Sequence, residues 1–126
     1  MGKGVKYMNM KIRAFINKHI PMYYFDLLNV PTEVQTRDST FMLFIGIQDK
    51  NGFDLYVGDI IEFRANYSTK ERNGWHKGVI VFNSSLGFAI KVDGFDDEFS
   101  IYNETDDFKH KSERLGNIYE NPELME

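Results

Sequence analysis

Period-two alternation of apolar and polar residues recurs along this chain, and a sustained helical period does not. Ile12, Ala14 and Ile16 alternate with Arg13 and Phe15, and Asn17-Lys18-His19 then breaks the run. Pro21-Met22-Tyr23-Tyr24-Phe25 resumes it, which predicts a hairpin. Residues 26–40, with Pro31 and the polar run Thr36-Arg37-Asp38-Ser39-Thr40, read as a loop or linker with room for one helical turn. Phe41 to Ile47 is nearly continuous apolar, the pattern of a strand covered on both faces. Asp49-Lys50-Asn51-Gly52 supplies turn chemistry, and a tight hairpin asks for positive φ at Asn51 and Gly52.

Farther on, Phe53 and Leu55 fall on one side of the returning strand, Asp54 and Tyr56 on the other. Gly58-Asp59 punctuates the chain before Ile61, Phe63 and Ala65 alternate with Glu62 and Arg64. A polar loop over 66–75 leads to Val79-Ile80-Val81-Phe82, apolar on both faces and so expected at the centre of a sheet. Phe88, Ile90 and Val92 follow a turn at 83–87, and shorter apolar pieces lie at 99–102 and 115–119. The expected fold is all-β with minor helix: a small SH3-like antiparallel β-barrel over residues 41–126. A short N-terminal β-hairpin subdomain and linker occupy 11–40, behind a flexible extension at 1–10. The SH3-like assignment rests on analogy with the order GDIIEF, long loop, GVIVF, tight turn, GFAIKV.

Composition narrows the function classes. Eleven Phe, seven Tyr and one Trp in 126 residues supply a core without metal or disulfide staples. The absence of cysteine removes disulfides, thiolate metal sites and a Cys nucleophile, and fits a reducing cytosol. A net charge of −4 argues against duplex nucleic acid, which needs a basic face. No apolar stretch is long enough for a membrane span, and the N-terminus lacks the apolar region of a signal peptide.

Catalytic and metal chemistry find little support. His19, His76 and His110 lie far apart with no ligand spacing. Asp93-Gly94-Phe95-Asp96-Asp97-Glu98 does not meet the calcium-loop template and reads as an acidic, solvated hairpin tip. No nucleophile elbow or phosphate loop is present, so no catalytic residue, metal or cofactor is assigned. One set favours binding: Tyr67, Arg72, Trp75, His76 and Lys77 interleave aromatics with cations in or beside the long loop.

The stretch Phe44-Ile45-Gly46-Ile47-Gln48-Asp49-Lys50-Asn51-Gly52 through Gly58-Asp59-Ile60-Ile61-Glu62-Phe63 resembles the signature of the YopX-like bacteriophage proteins. The ending Leu115-Gly116-Asn117-Ile118-Tyr119-Glu120-Asn121-Pro122-Glu123-Leu124 resembles that family's closing motif, and Lys11-Ile12-Arg13-Ala14-Phe15 resembles its opening. The resemblance implies a phage or prophage accessory protein in the cytoplasm of a bacterial host, of a family with no established biochemical activity. It marks Asp49, Asn51, Gly52, Gly58, Asp59, Gly116, Asn117, Tyr119 and Pro122 as motif residues, read as structural. The functional alternative has Asp49, Lys50 and Asp59 presenting a recognition edge. The expected activity is that of a non-catalytic protein-interaction module for a host or phage protein. A self-assembling homo-oligomer using Tyr23, Tyr24 and Phe25 is the alternative, with a nucleic-acid-binding barrel behind it.

Overall fold

A computed structural model describes residues 10–65, 74–96, 98–101 and 111–125. Nine strands account for its regular structure: β1 (Lys11–Phe15), β2 (Tyr23–Asp26), β3 (Thr40–Gln48), β4 (Asp54–Tyr56), β5 (Asp59–Ala65), β6 (Gly74–Asn83), β7 (Gly87–Val92), β8 (Glu98–Ser100) and β9 (Ser112–Asn117). Short 3₁₀ helices occupy Thr32–Val34 and Pro122–Met125. The strands form two sheets, ordered β2-β1-β3-β4 and β8-β7-β6-β5-β9. Among the described residues no helix is long and apolar enough to cross a membrane. The all-β expectation holds. The five-stranded sheet, however, is open rather than a closed barrel among these residues, with β8 and β9 as its edges.

The chain divides into two compact units, Met1–Phe44 and Ile45–Glu126, and the division falls inside β3. In the first, β1 pairs antiparallel with β2 on one side and with the start of β3 on the other. Ile12, Ala14 and Val34 are buried there, and so is Arg13, whose Nε donates to Met42 Sδ at 3.3 Å. Phe25 meets Phe41 edge to face, with ring centroids 6.1 Å apart. The continuous apolar run of β3 is not covered on both faces, because Phe41 is 50% and Leu43 42% exposed while Met42 is buried. Alternation, not full burial, governs this strand.

Gly46 takes φ +90° in the middle of β3. A Cβ there would meet nothing within 4 Å, so the glycine serves the backbone conformation and not a close approach. In the second unit the core gathers Ile45, Leu55, Ile61, Phe63, Ile80, Ile90, Val92 and Ile101. Strand β6 is central, as its apolar composition requires, with β5 and β7 in antiparallel register on either side. Ile60 and Ile61 are both fully buried, since the pairing of β5 with β9 shifts register between them. At Gly78 a Cβ would press into the neighbouring strand, 2.6 Å from Ile90 Cγ2 and 2.8 Å from the Lys91 carbonyl oxygen.

Gly46→Ala is expected to destabilise the protein by about 1–2 kcal/mol through the left-handed backbone alone. Urea denaturation of the variant checks this. An unchanged midpoint would mean that β3 straightens there at no cost.

Candidate functional site

The turn between β3 and β4 is built around Asp49, only 3% exposed. Its Oδ1 accepts the N–H groups of Asn51 and Phe53, both at 2.9 Å. Its Oδ2 accepts the N–H of Arg114 in β9 at 2.8 Å. The main chain closes the turn through Gly52 N–H to the Asp49 carbonyl at 3.0 Å and Asp49 N–H to the Phe53 carbonyl at 2.9 Å. Gly52 takes φ +85°, whereas Asn51, like every described non-glycine residue, keeps a negative φ. The turn is therefore a type I turn followed by a left-handed glycine, a three-residue hairpin loop, rather than one with positive φ at both Asn51 and Gly52.

Three further contacts fasten this turn to β9. Lys50 N–H donates to the Ser112 carbonyl at 3.0 Å. Lys50 Nζ lies 3.9 Å from Glu113 Oε2, and Asn51 Nδ2 donates to Glu113 Oε1 at 3.5 Å. Nothing in the spacing of these residues announces the pairing, because 65 residues separate Asp49 from Arg114.

Two other corners use the same device. Fully buried Asp59 accepts the Tyr56 N–H on Oδ2 at 2.8 Å. Gly58, at φ +95°, donates to the Ile80 carbonyl at 2.8 Å and accepts the Ile118 N–H at 3.0 Å. Asn117 Oδ1 accepts the N–H groups of Tyr119 and Glu120 at 3.0 and 2.8 Å, and its Nδ2 donates to Glu120 Oε1 at 2.8 Å. Asn121 returns its own Oδ1 to the Asn117 N–H at 3.2 Å. Pro122 opens the final 3₁₀ helix, where its missing N–H costs nothing. Gly116 leaves room for all this: a Cβ would collide with the Asn121 side-chain amide and come within 3.0 Å of Leu124 Cδ1. Asp49 and Asp59 are thus turned inward, and of the recognition edge read from the sequence only Lys50 faces solvent.

The aromatic and cationic set is partly separated by the pleat of β6. Tyr67 and Arg72 lie outside the described residues. Trp75 is 55% exposed, with Lys50 Nζ 5.9 Å from its ring centroid. His76 points to the opposite face, between Phe63 at 5.8 Å and Phe95 at 5.6 Å. Lys77 shares the Trp75 face and stands opposite Glu62, which in turn stands opposite Glu113. Phe53 and Arg114 form a separate pair: Phe53 is 50% exposed, with the Arg114 guanidinium 4.7 Å from its ring, and Arg114 stands opposite Ile61 rather than on the face of Glu62 and Lys77. Simple alternation pairs Phe53 with Leu55 on one side, but Leu55 and Tyr56 are the buried pair of that strand.

Elsewhere, Val79, Lys91, Phe95, Ile118 and Met125 line an open depression of about 300 Å³. Among the described residues no group of three or more His, Asp or Glu side chains is placed to hold a metal ion. His19 sits in an exposed turn and His110 lies outside the described residues. Tyr23, Tyr24 and Phe25 lie on β2, an edge strand, and only Tyr24 among them is exposed.

Gly116→Ala is expected to cost about 1–3 kcal/mol by overpacking. Asn121→Ala on that background should cost less than it does alone, and a double-mutant cycle by thermal denaturation measures the coupling. Additive effects would show that Asn121 does not occupy the space the glycine leaves.

This chain resembles known proteins at two levels. Crystal structure coordinates of protein EF1440 from Enterococcus faecalis superpose with a TM-score of 0.56 at 20% identity, over 95% of this chain and 100% of that one, which shows a shared fold. No curated protein matches the sequence. The model of the family described as YopX protein matches residues 5–126, nearly the whole chain. The chain belongs to the YopX protein family.

Proposed function

We propose that this chain is a non-catalytic protein-interaction module, a phage or prophage accessory protein of the bacterial host cytoplasm, which captures a host or phage protein on the face around Trp75. The observation that carries this reading is the exposure of Trp75 at 55% beside a Lys50 that the Asp49 turn holds in place. Large aromatics left in water next to fixed cations are the residues that dominate protein interfaces. Charge on the face favours a protein over nucleic acid. Lys50 and Lys77 are balanced there by Glu62 and Glu113, and a phosphate backbone needs an excess of cations. The finer fold reading, an SH3-like sheet, draws support from the order β9-β5-β6-β7-β8, in which the last strand returns beside the first.

A second reading, self-assembly, draws on Phe41, Leu43 and Tyr24, all exposed in the first unit. Light scattering separates the two, because a strict monomer at high concentration removes self-assembly.

For the interaction module, Trp75→Ala is expected to leave stability within about 0.5 kcal/mol of the parent, as for an exposed side chain. It should abolish capture of a specific protein from nuclease-treated host lysate by the tagged chain. Capture that persists in the folded variant, or that disappears with nuclease in the parent, would overturn this reading.

A further inference from the structure

Asn51 and Gly52 are both exposed, and they form the only Asn-Gly pair among the described residues. We propose that Asn51-Gly52 is a site of spontaneous covalent modification, and that Asp49 gates it by holding the turn closed. The reagent is the chain's own main chain together with water.

In the step envisaged, the deprotonated backbone nitrogen of Gly52 attacks Cγ of Asn51. A C–N bond forms, the bond from Cγ to Nδ2 breaks, and the amide nitrogen leaves as ammonia with the protons it needs from water. Water then opens the five-membered imide at either carbonyl, giving aspartate or isoaspartate. Overall one water is consumed and one ammonia released, a gain of one mass unit with one new negative charge. Gly52 suits the attack because it has no side chain to shield its nitrogen, and even a Cβ built there would meet nothing within 4 Å.

Against the reaction stands the turn itself. The attacking nitrogen is engaged, since Gly52 N–H donates to the Asp49 carbonyl at 3.0 Å. Asp49 Oδ1 holds the amides on both sides, those of Asn51 and Phe53, at 2.9 Å. The nitrogen is freed only when these bonds open together, so the carboxylate of Asp49 sets how often the site is reactive.

Modification would matter for the surface above. Asn51 Nδ2 donates to Glu113 Oε1 at 3.5 Å, and either product puts a carboxylate where that donor stood. Repulsion replaces a hydrogen bond at the tie between the turn and β9. The isoaspartate also inserts an extra main-chain atom between Asn51 and Gly52, upstream of the Phe53 amide that Asp49 accepts. Lys50, carried by the same turn, then leaves its place at 5.9 Å from the Trp75 ring.

The test incubates the folded full chain at mildly alkaline pH and maps peptides by mass spectrometry, which separates Asn51 from Asn73 of the chain's other Asn-Gly pair. Asn51 should gain one mass unit in the folded parent, more slowly than in the chain unfolded in urea. In Asp49→Ala, loss of two charge-assisted hydrogen bonds within the turn should raise the rate at least about tenfold. Should that variant fail to fold, Asp49→Asn keeps an oxygen for the turn and loses only the acceptor facing Arg114, and its rate should fall between the folded parent and the unfolded chain. No conversion at Asn51 in the folded parent while the unfolded chain converts would overturn the site. A folded Asp49 variant converting no faster than the parent would overturn the gate.

Discussion

Asp49 lies buried, so its charge must be satisfied by the protein itself, and three main-chain N–H groups do so from two places 65 residues apart in the chain. Two come from the turn that Asp49 begins, and the third from Arg114 in β9. A carboxylate accepting main-chain donors makes stronger bonds than a neutral acceptor would. It also occupies the open side of an edge strand, where an unpaired N–H would otherwise invite another chain. One side chain therefore closes a hairpin, covers a sheet edge and joins the middle of the sequence to its end. Shortening it to alanine would take the acceptor from three main-chain donors at once.

The other corners repeat this solution with different chemistry. Asp59 holds the Tyr56 amide at the entry to β5, and Asn117 holds two amides at the exit from β9. An amide side chain suits the second place because Nδ2 can donate to Glu120 while Oδ1 accepts, which a carboxylate could not do. The motif residues marked in this sequence are thus mostly polar residues and glycines that let its main chain turn sharply between strands. Asp49, Asp59 and Asn117 are buried in doing so, whereas Asn51, Gly52 and Pro122 of the same motif stay exposed.

How far the sequence could be read follows from how local each signal is. The N-terminal hairpin, the central position of β6 and the all-β class were legible, because alternation and turn residues are short-range patterns. The conformation of Gly46 was not, since it sits within an unbroken apolar run that gives no hint of a left-handed residue. The aromatic and cationic set was legible as composition but not as a surface: adjacent residues on a strand face opposite ways, so His76 parted from Trp75. Phe53 and Arg114 escaped notice because they meet only when β9 closes against the turn. The motif residues were recognisable without their bonds being so, since most of those bonds go to main-chain atoms that carry no sequence label.

These two groups of residues are coupled through Lys50. Its main chain is part of the buried construction, with its N–H on Ser112, while its ammonium stands outside between Glu113 and the Trp75 ring. A lysine on a free loop would lose much side-chain and loop entropy on binding a partner. Here the loop entropy has already been lost in folding, because Asp49 and Lys50 fix the turn on β9. Phe53 gains in the same way, as its amide is held by Asp49 while its ring stays in water beneath Arg114. The inward-facing motif thereby does more than stabilise the sheet. It presets the positions of Lys50 and Phe53, so that under the proposed interaction reading the backbone has already ordered the turn before any partner binds.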